Sequence, residues 1–155
     1  MKLQDFDFRI WDNIEKKYCK SPHGLYIENT EHNDASSCRR IIENYEQLGF
    51  SVDHPYNCGN NEYFVNENAF SIELFTGLYD KNGKKVYEGD ILRSGETFDD
   101  DEIEAFIDYV KFENGSFHII SCFDGEEAML HDCDLSDMVI IGNIHENENL
   151  LNQGL

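Results

Sequence analysis

The stretch LFTGLYDKNGKKVYEGDIL, residues Leu74–Leu92, predicts a β-hairpin followed by a further strand. From Phe70 to Asp80, apolar residues and Thr76 recur at every second position, the period of a strand with one buried face. Asn82-Gly83 is a dipeptide typical of tight hairpin turns, and Glu88-Gly89-Asp90 indicates a second bend. The stretch therefore favours a compact β architecture.

The glycines of this stretch could instead form a phosphate-binding loop. Gly77, Gly83 and Gly89 are spaced by six residues, which matches neither GxxxxGK[ST] nor GxGxxG. A phosphate loop also needs a helix N-terminus, and the sequence predicts none after Gly89. We interpret the three glycines as turn residues, because glycine tolerates the positive φ that such turns require.

Short strands separated by turn residues continue along much of the chain. Glu113-Asn114-Gly115-Ser116 predicts a second Asn-Gly hairpin, and MVIIGNIHE predicts a last strand near the carboxy terminus. Alternation from Phe6 to Trp11 predicts a first strand, in which Trp11 is expected to be a core or interface anchor.

One segment, from Asn33 to Gly49, has the spacing of an amphipathic helix. Its apolar residues fall at i, i+1, i+4 and i+7, Asp and Ser offer N-caps, and Gly49 would end the helix. The predicted fold class is therefore mainly β (α+β). Short strands joined by Gly-bearing turns predict a small barrel for residues 73–155, and residues 1–72 are expected to be an amino-terminal β-rich part carrying one principal helix. The two parts could also form one compact unit.

The charge of the chain restricts its partners. The 32 Asp and Glu against 12 Lys and Arg give a net charge of −20. Such a surface repels phosphate backbones and anionic lipid, so we expect no direct binding to nucleic acid or membrane. An alternative is that the acidic surface mimics DNA, as in an anti-restriction protein.

The cysteines and the amino terminus indicate a reducing compartment. Five cysteines at irregular spacing suggest no disulfide framework, and the acidic residues of MKLQDFDFRIWD argue against a signal peptide. We expect a cytoplasmic protein with reduced thiols.

Catalytic and metal signatures are weak. No nucleophile elbow occurs, and 32 acids prevent any choice of a catalytic carboxylate pair, so we expect no catalytic residues and no cofactor. A metal-dependent enzyme remains an alternative. His54, Cys58, His131 and Cys133 would supply a two-His, two-Cys zinc set if the fold brought them together.

Three stretches carry a family resemblance: FRIWDNIEKKY, LFTGLYDKNGKKVYEGDIL and VIIGNIHENENLL, with VKFENGSF between the last two. Together they resemble the YopX-like family of phage and prophage proteins over roughly half of the chain. Residues 19–69 match nothing diagnostic.

The resemblance implies a phage or prophage protein in a bacterial cytoplasm, with an SH3-type barrel in its carboxy-terminal region and no established catalytic residues. We interpret the matching motif positions as structural; they are Trp11, Asp12, Phe75, Thr76, Gly77, Leu78, Asp80, Gly83, Gly89 and Asp90. The leading functional hypothesis is a non-enzymatic accessory protein that acts through protein contacts and forms homo-oligomers.

Overall fold

The structure is a computed structural model, and it describes residues 2, 5–20, 25–31, 37–43, 46–53, 70–97 and 103–152. The chain divides into two compact units, one of residues 1–9 with 73–155 and one of residues 10–72. Within the described part of the chain, no helix has the length and hydropathy that crossing a bilayer requires.

The described elements are almost all strands. They are β1 (Phe8–Asp12), β2 (Lys17–Tyr18), β3 (Leu25–Glu31), β4 (Ser37–Glu43), β5 (Glu46–Asp53), β6 (Phe70–Tyr79), β7 (Lys85–Tyr87), β8 (Asp90–Thr97), β9 (Ile103–Glu113), β10 (Ser116–Ser121), β11 (Glu127–Met129) and β12 (Val139–Asn143). Two single-turn 3-10 helices, Leu130–Asp132 and Leu135–Asp137, precede β12, and a four-residue helix α1 (Glu148–Leu151) follows it. The protein is therefore mainly β.

The described strands form three sheets. A four-stranded sheet has the order β2-β1-β6-β7, a five-stranded sheet has the order β11-β10-β9-β8-β12, and β3-β4-β5 form a three-stranded meander. Among the described strands, sequence neighbours such as β8, β9 and β10 pair directly, which is the arrangement that short hairpin connections produce.

The helix predicted between Asn33 and Gly49 is wrong. Its described residues belong to β4 and β5, which pair with each other, while β4 also pairs with β3. The apolar spacing matched a helix by coincidence, and backbone pairing on both sides of β4 overrode this local pattern. Gly49, read as a helix stop, pairs with Ile41 next to a bulge, a common place for glycine in a strand.

Both predicted Asn-Gly hairpins are confirmed. In the β9–β10 hairpin, Glu113 pairs with Ser116 across a two-residue loop in which Asn114 and Gly115 have φ of 52° and 82°. Two successive positive φ values define the type I′ turn, whose twist matches that of the flanking strands. In the β6–β7 hairpin, Gly83 has φ of 76°.

The core of the unit of residues 1–9 and 73–155 lies between its strands and the 3-10 helices. Six buried apolar side chains form it: Val86, Leu92, Val110, Ile119, Leu130 and Leu135. Fully burying each of these contributes about 1.5 to 3 kcal/mol. In the unit of residues 10–72, Trp11 is buried against Tyr18, with their ring centroids 5.0 Å apart, as expected for a core anchor.

Candidate functional site

Three carboxylates are buried among the described residues of the unit of residues 1–9 and 73–155, and two of them, Glu73 and Asp90, share a partner; the third is Asp80. Glu73 of β6 is 3% exposed and Asp90 at the start of β8 is 2% exposed. Burying a charge is costly unless a partner of opposite sign is present. Arg9 of β1 supplies that partner: its Nε donates to Glu73 Oε2 at 2.5 Å and its Nη2 donates to Asp90 Oδ1 at 2.8 Å. One guanidinium therefore links two buried acids.

A histidine completes this arrangement. His145 Nε2 lies 2.6 Å from Glu73 Oε1, within hydrogen-bond distance. The turn after β12 positions the ring, since Asn143 Oδ1 accepts hydrogen bonds from the backbone N–H of His145 and of Glu146. We call Arg9, Glu73, Asp90 and His145 the buried cluster.

Two acids in or beside the buried cluster, Asp90 and Glu88, have raised pKa values. Burial raises the pKa of Asp90, although Arg9 and the backbone N–H of Tyr87, which donates to Asp90 Oδ2 at 2.8 Å, act in the opposite direction. Burial likewise raises the pKa of Glu88, whose backbone carbonyl accepts from Arg9 Nη2 at 3.1 Å.

Gly89 is the residue that lets the chain pass close to Glu73. Its φ is 80°, and a Cβ placed on it would lie 3.0 Å from Glu73 Oε1 and 3.4 Å from Ile144 Cγ1. Its backbone is fixed as well, because its N–H donates to Val110 O and its carbonyl accepts from Ile144 N, each at 2.8 Å. Both the conformation and the space require glycine here.

We expect Gly89→Ala to destabilise the protein more than Gly115→Ala. Both glycines have φ near 80°, but a Cβ on Gly115 meets nothing within 4 Å, so that variant measures backbone strain alone, about 1 to 2 kcal/mol. Crowding against Glu73 adds about 1 to 3 kcal/mol at residue 89. Urea unfolding of the two variants checks this, and equal losses of free energy would contradict the close approach.

Three aromatic rings lie beside the buried cluster on β6 and β7. The Phe75 centroid lies 5.5 Å from that of Tyr79 and 5.6 Å from that of Tyr87. Arg9 Cζ lies 4.8 Å from the Tyr87 centroid, and Lys85 Nζ lies 5.0 Å from the Phe75 centroid, both within cation–π range. We call Phe75, Tyr79 and Tyr87 the aromatic row; Tyr79 at its end is 52% exposed.

Asp7, the residue before β1, binds two side chains of β7. Lys85 Nζ donates to Asp7 Oδ2 at 2.6 Å, and Tyr87 Oη donates to the same oxygen at 2.7 Å. Partial burial opposes ionisation of Asp7, but these hydrogen bonds prevail and lower its pKa. Burial, followed by the bond to Asp7, raises the pKa of Tyr87. The phenol therefore remains a neutral donor at physiological pH.

This arrangement orders a surface. Among the described residues, no buried side-chain nitrogen or oxygen lacks a hydrogen-bond partner. The buried cluster itself contains no hydroxyl or thiol nucleophile, and its charged groups bind one another. Because Glu73 and Asp90 hold Arg9, and Arg9 lies over the Tyr87 ring, the buried cluster fixes both side chains where the aromatic row meets solvent.

The predicted zinc residues fall partly outside this description. His54 and Cys58 lie outside the described residues. His131 is exposed beside Asp132, at 3.3 Å, and Cys133 Sγ donates to Met129 O at 3.5 Å. Among the residues that the structure describes, no three His, Cys, Asp or Glu side chains are grouped to hold a metal ion. The four-residue zinc set stays a prediction.

Several motif residues organise turns. Asp12 Oδ1 accepts from the N–H groups of Ile14 and Glu15, each at 2.8 Å. Thr76 Oγ1 donates to Val86 O at 2.8 Å and accepts from Leu78 N at 3.1 Å. These contacts fit the structural interpretation of the motif.

Sequence reasoning missed Glu73, Arg9 and His145 as a group. The alternation around β6 grouped Ile72 with Phe70 and Leu74 and drew no attention to Glu73, whereas Ile72 is 41% exposed and Glu73 is buried. Arg9 and His145 lie far from Glu73 along the chain, and no local signal separates Glu73 from the other acids. Only the fold brings the three together.

Comparison with known proteins gives the family. The family model described as YopX protein matches residues 7–152, nearly the whole chain. The chain belongs to the YopX protein family. The match to the YopX model spans both the buried cluster and the aromatic row. No curated protein matches the chain.

Two crystal structures are similar to this YopX family member. Protein EF1440 from Enterococcus faecalis is 22% identical, with 94% of this chain and 97% of that chain covered and a TM-score of 0.48. Protein yopX from Bacillus subtilis is 14% identical, with 92% and 95% covered and a TM-score of 0.47.

Proposed function

We propose that this YopX family member is a non-enzymatic accessory protein that acts by binding other proteins. The observation that carries the proposal is the aromatic row, in which Tyr79 is 52% exposed beside the partly exposed Phe75 and Tyr87. Tyrosine, phenylalanine and arginine are the residues enriched where protein interfaces gain most of their binding energy.

Rigidity of the aromatic row supports the same proposal. Tyr87 is held by its hydrogen bond to Asp7 and by the Arg9 guanidinium over its ring, and Arg9 is held in turn by Glu73 and Asp90. A partner would therefore meet side chains that are already ordered, and preorganisation reduces the entropy that binding costs. The buried cluster is the support of this surface.

The setting of this activity is part of the proposal. The resemblance to phage and prophage proteins supports action in a bacterial cytoplasm, and the antiparallel β8–β12 sheet supports an SH3-like barrel for residues 73–155. Neither is needed for the binding surface itself.

The test compares two exposed aromatic residues. Tyr79→Ala shortens the aromatic row, whereas Phe123→Ala removes an aromatic side chain that is 77% exposed in the turn after β10. We expect proteins retained from a bacterial lysate by the immobilised native chain to be retained by the Phe123 variant and lost by the Tyr79 variant. Equal retention by both variants, or no retained protein at all, would overturn the proposal.

A further inference from the structure

The surface around the aromatic row is nearly charge-balanced, although the chain is strongly acidic. The buried cluster, the Asp7–Lys85 pair and the 80–84 turn together hold four of the 32 acids but also four of the 12 Lys and Arg. Glu88 adds a fifth acid beside them, and His145 adds a titratable base. The rest of the chain therefore carries almost all of the net charge of −20.

The cations of this surface are also the more accessible charges. Lys81 and Lys84 are exposed, and neither makes an ion pair within the part of the chain that the structure describes. Three of the acids are withdrawn: Glu73 and Asp90 are bound by Arg9, and Asp80 is 6% exposed with its oxygens bound by backbone N–H groups. Asp7 stays partly accessible, with its side chain 36% exposed beside that of Lys85 at 40%. A contacting molecule meets aromatic rings, lysines and the carboxylate of Asp7 there.

Charge balance at one place matters most for contact between two copies. Two copies of the chain, each with a net charge of −20, repel each other through most of their surfaces. At physiological ionic strength, charges farther apart than about 8 Å are largely screened, so a contact is governed mainly by the charges within it. The aromatic row with its balanced surroundings is where two copies can approach without a local excess of like charge.

We propose that the aromatic row is the contact surface of a homodimer, with a second copy of this chain as its occupant. The interface is isologous, so the aromatic rows of the two copies pack together. The adjacent Asp7 and Lys85 make the surface self-complementary, because a two-fold axis can place each lysine near the aspartate of the other copy. This inference rests on the proposed function and names the partner.

Salt dependence distinguishes this dimer from an ordinary ionic one. Aromatic packing is insensitive to salt, whereas repulsion between the two acidic bodies is screened by it. We therefore expect dimerisation to strengthen as sodium chloride rises from about 0.01 M, where the screening length is about 30 Å, to physiological ionic strength. A dimer held by surface ion pairs would weaken instead.

Sedimentation velocity on the full chain tests the proposal. The native protein is expected to shift from the 18.0 kDa monomer toward twice that mass as its concentration rises. We expect Tyr79→Asp to raise the dimer dissociation constant at least tenfold. The matched control Phe123→Asp, which replaces another exposed aromatic residue by the same acid, should leave the dissociation constant within twofold. Unfolding midpoints of both variants verify that each is folded.

The outcomes separate this inference from the proposed function. A native protein that stays monomeric at every salt concentration, or a dimer that both variants weaken equally, overturns the homodimer. If the Tyr79 variants nevertheless lose the proteins captured from a lysate, the proposed binding function stands without the dimer. If the Tyr79 and Phe123 variants match the native chain in both experiments, both proposals are wrong.

Discussion

Replacing Arg9 with methionine is expected to lower the free energy of unfolding by about 3 to 5 kcal/mol, because it leaves two buried carboxylates without their cation. The native guanidinium reaches Glu73 and Asp90, whose side chains are 4% and 3% exposed. Methionine keeps much of the side-chain volume, so the loss measures charge rather than packing. Urea unfolding followed by far-ultraviolet circular dichroism provides the measurement.

A matched control uses the Lys111–Glu113 pair, whose side chains are both 44% exposed. Lys111→Met removes an ion pair of similar length that is exposed to solvent. We expect no measurable change in the unfolding midpoint, because exposed ion pairs contribute little to stability. In the Arg9→Met background, Glu73→Gln should restore part of the lost stability, since it removes one of the uncompensated charges. If the Arg9 and Lys111 variants were equally stable, the buried cluster would not support the aromatic row.

Arg9→Lys gives a variant that retains the charge. Lysine cannot reproduce the fork that binds Glu73 through Nε and Asp90 through Nη2. We expect a loss smaller than that of Arg9→Met, which keeps the prediction measurable even if the methionine variant does not fold.

Replacing Asp80 with alanine is expected to cost about 2 to 4 kcal/mol, because hydrogen bonds to a buried charged group contribute about 1.5 to 3 kcal/mol and do not add fully. Asp80 Oδ1 accepts from Asn82 N at 2.9 Å and from Lys84 N at 2.8 Å. Asp80 Oδ2 accepts from Ile140 N at 3.2 Å, so one side chain closes the β6–β7 turn and ties it to β12.

The effect of Asp80 also depends on pH. Burial opposes its ionisation, but the N–H groups of Lys84, Ile140 and Asn82 prevail and lower its pKa from 3.8. A lowered folded-state pKa means that the carboxylate stabilises the protein above pH 3.8, and that this stabilisation is lost as the pH falls through the folded-state value. The stability difference between the native chain and Asp80→Asn should therefore shrink in acid.

Asp134 provides the control for Asp80. Its Oδ1 accepts from Ser136 N at 2.9 Å in an exposed turn. We expect Asp134→Asn to leave the unfolding midpoint unchanged at neutral pH, because solvent replaces the lost interaction. An Asp80→Asn variant as stable as Asp134→Asn at neutral pH would show that the 80–84 turn does not depend on the buried carboxylate.

The turn chemistry of this chain was readable from its sequence. Asn82-Gly83 and Asn114-Gly115 predicted two hairpins, and both occur where expected because a tight turn depends on the φ values of adjacent residues. The helix between Asn33 and Gly49 was misread, since β4 obtains its backbone hydrogen bonds from strands on both sides, which no local spacing reveals.

The candidate site was not readable in the same way. Asp90 and Gly89 were interpreted as structural, but Glu73 and His145 were given no role. A carboxylate is buried only where a cation or several N–H donors compensate its charge, and for Glu73 that cation is Arg9, 64 residues earlier in the chain.

The sequence by itself determined the family, the acidic character, the two Asn-Gly hairpins and the mainly β class, because these depend on composition or on residues close together in the chain. The tertiary structure alone decided which acids are buried, which cation neutralises them and which aromatic rings line up. Ion pairs and contacts between aromatic rings act over a few ångströms, so they depend on residues that only the folded sheets bring together.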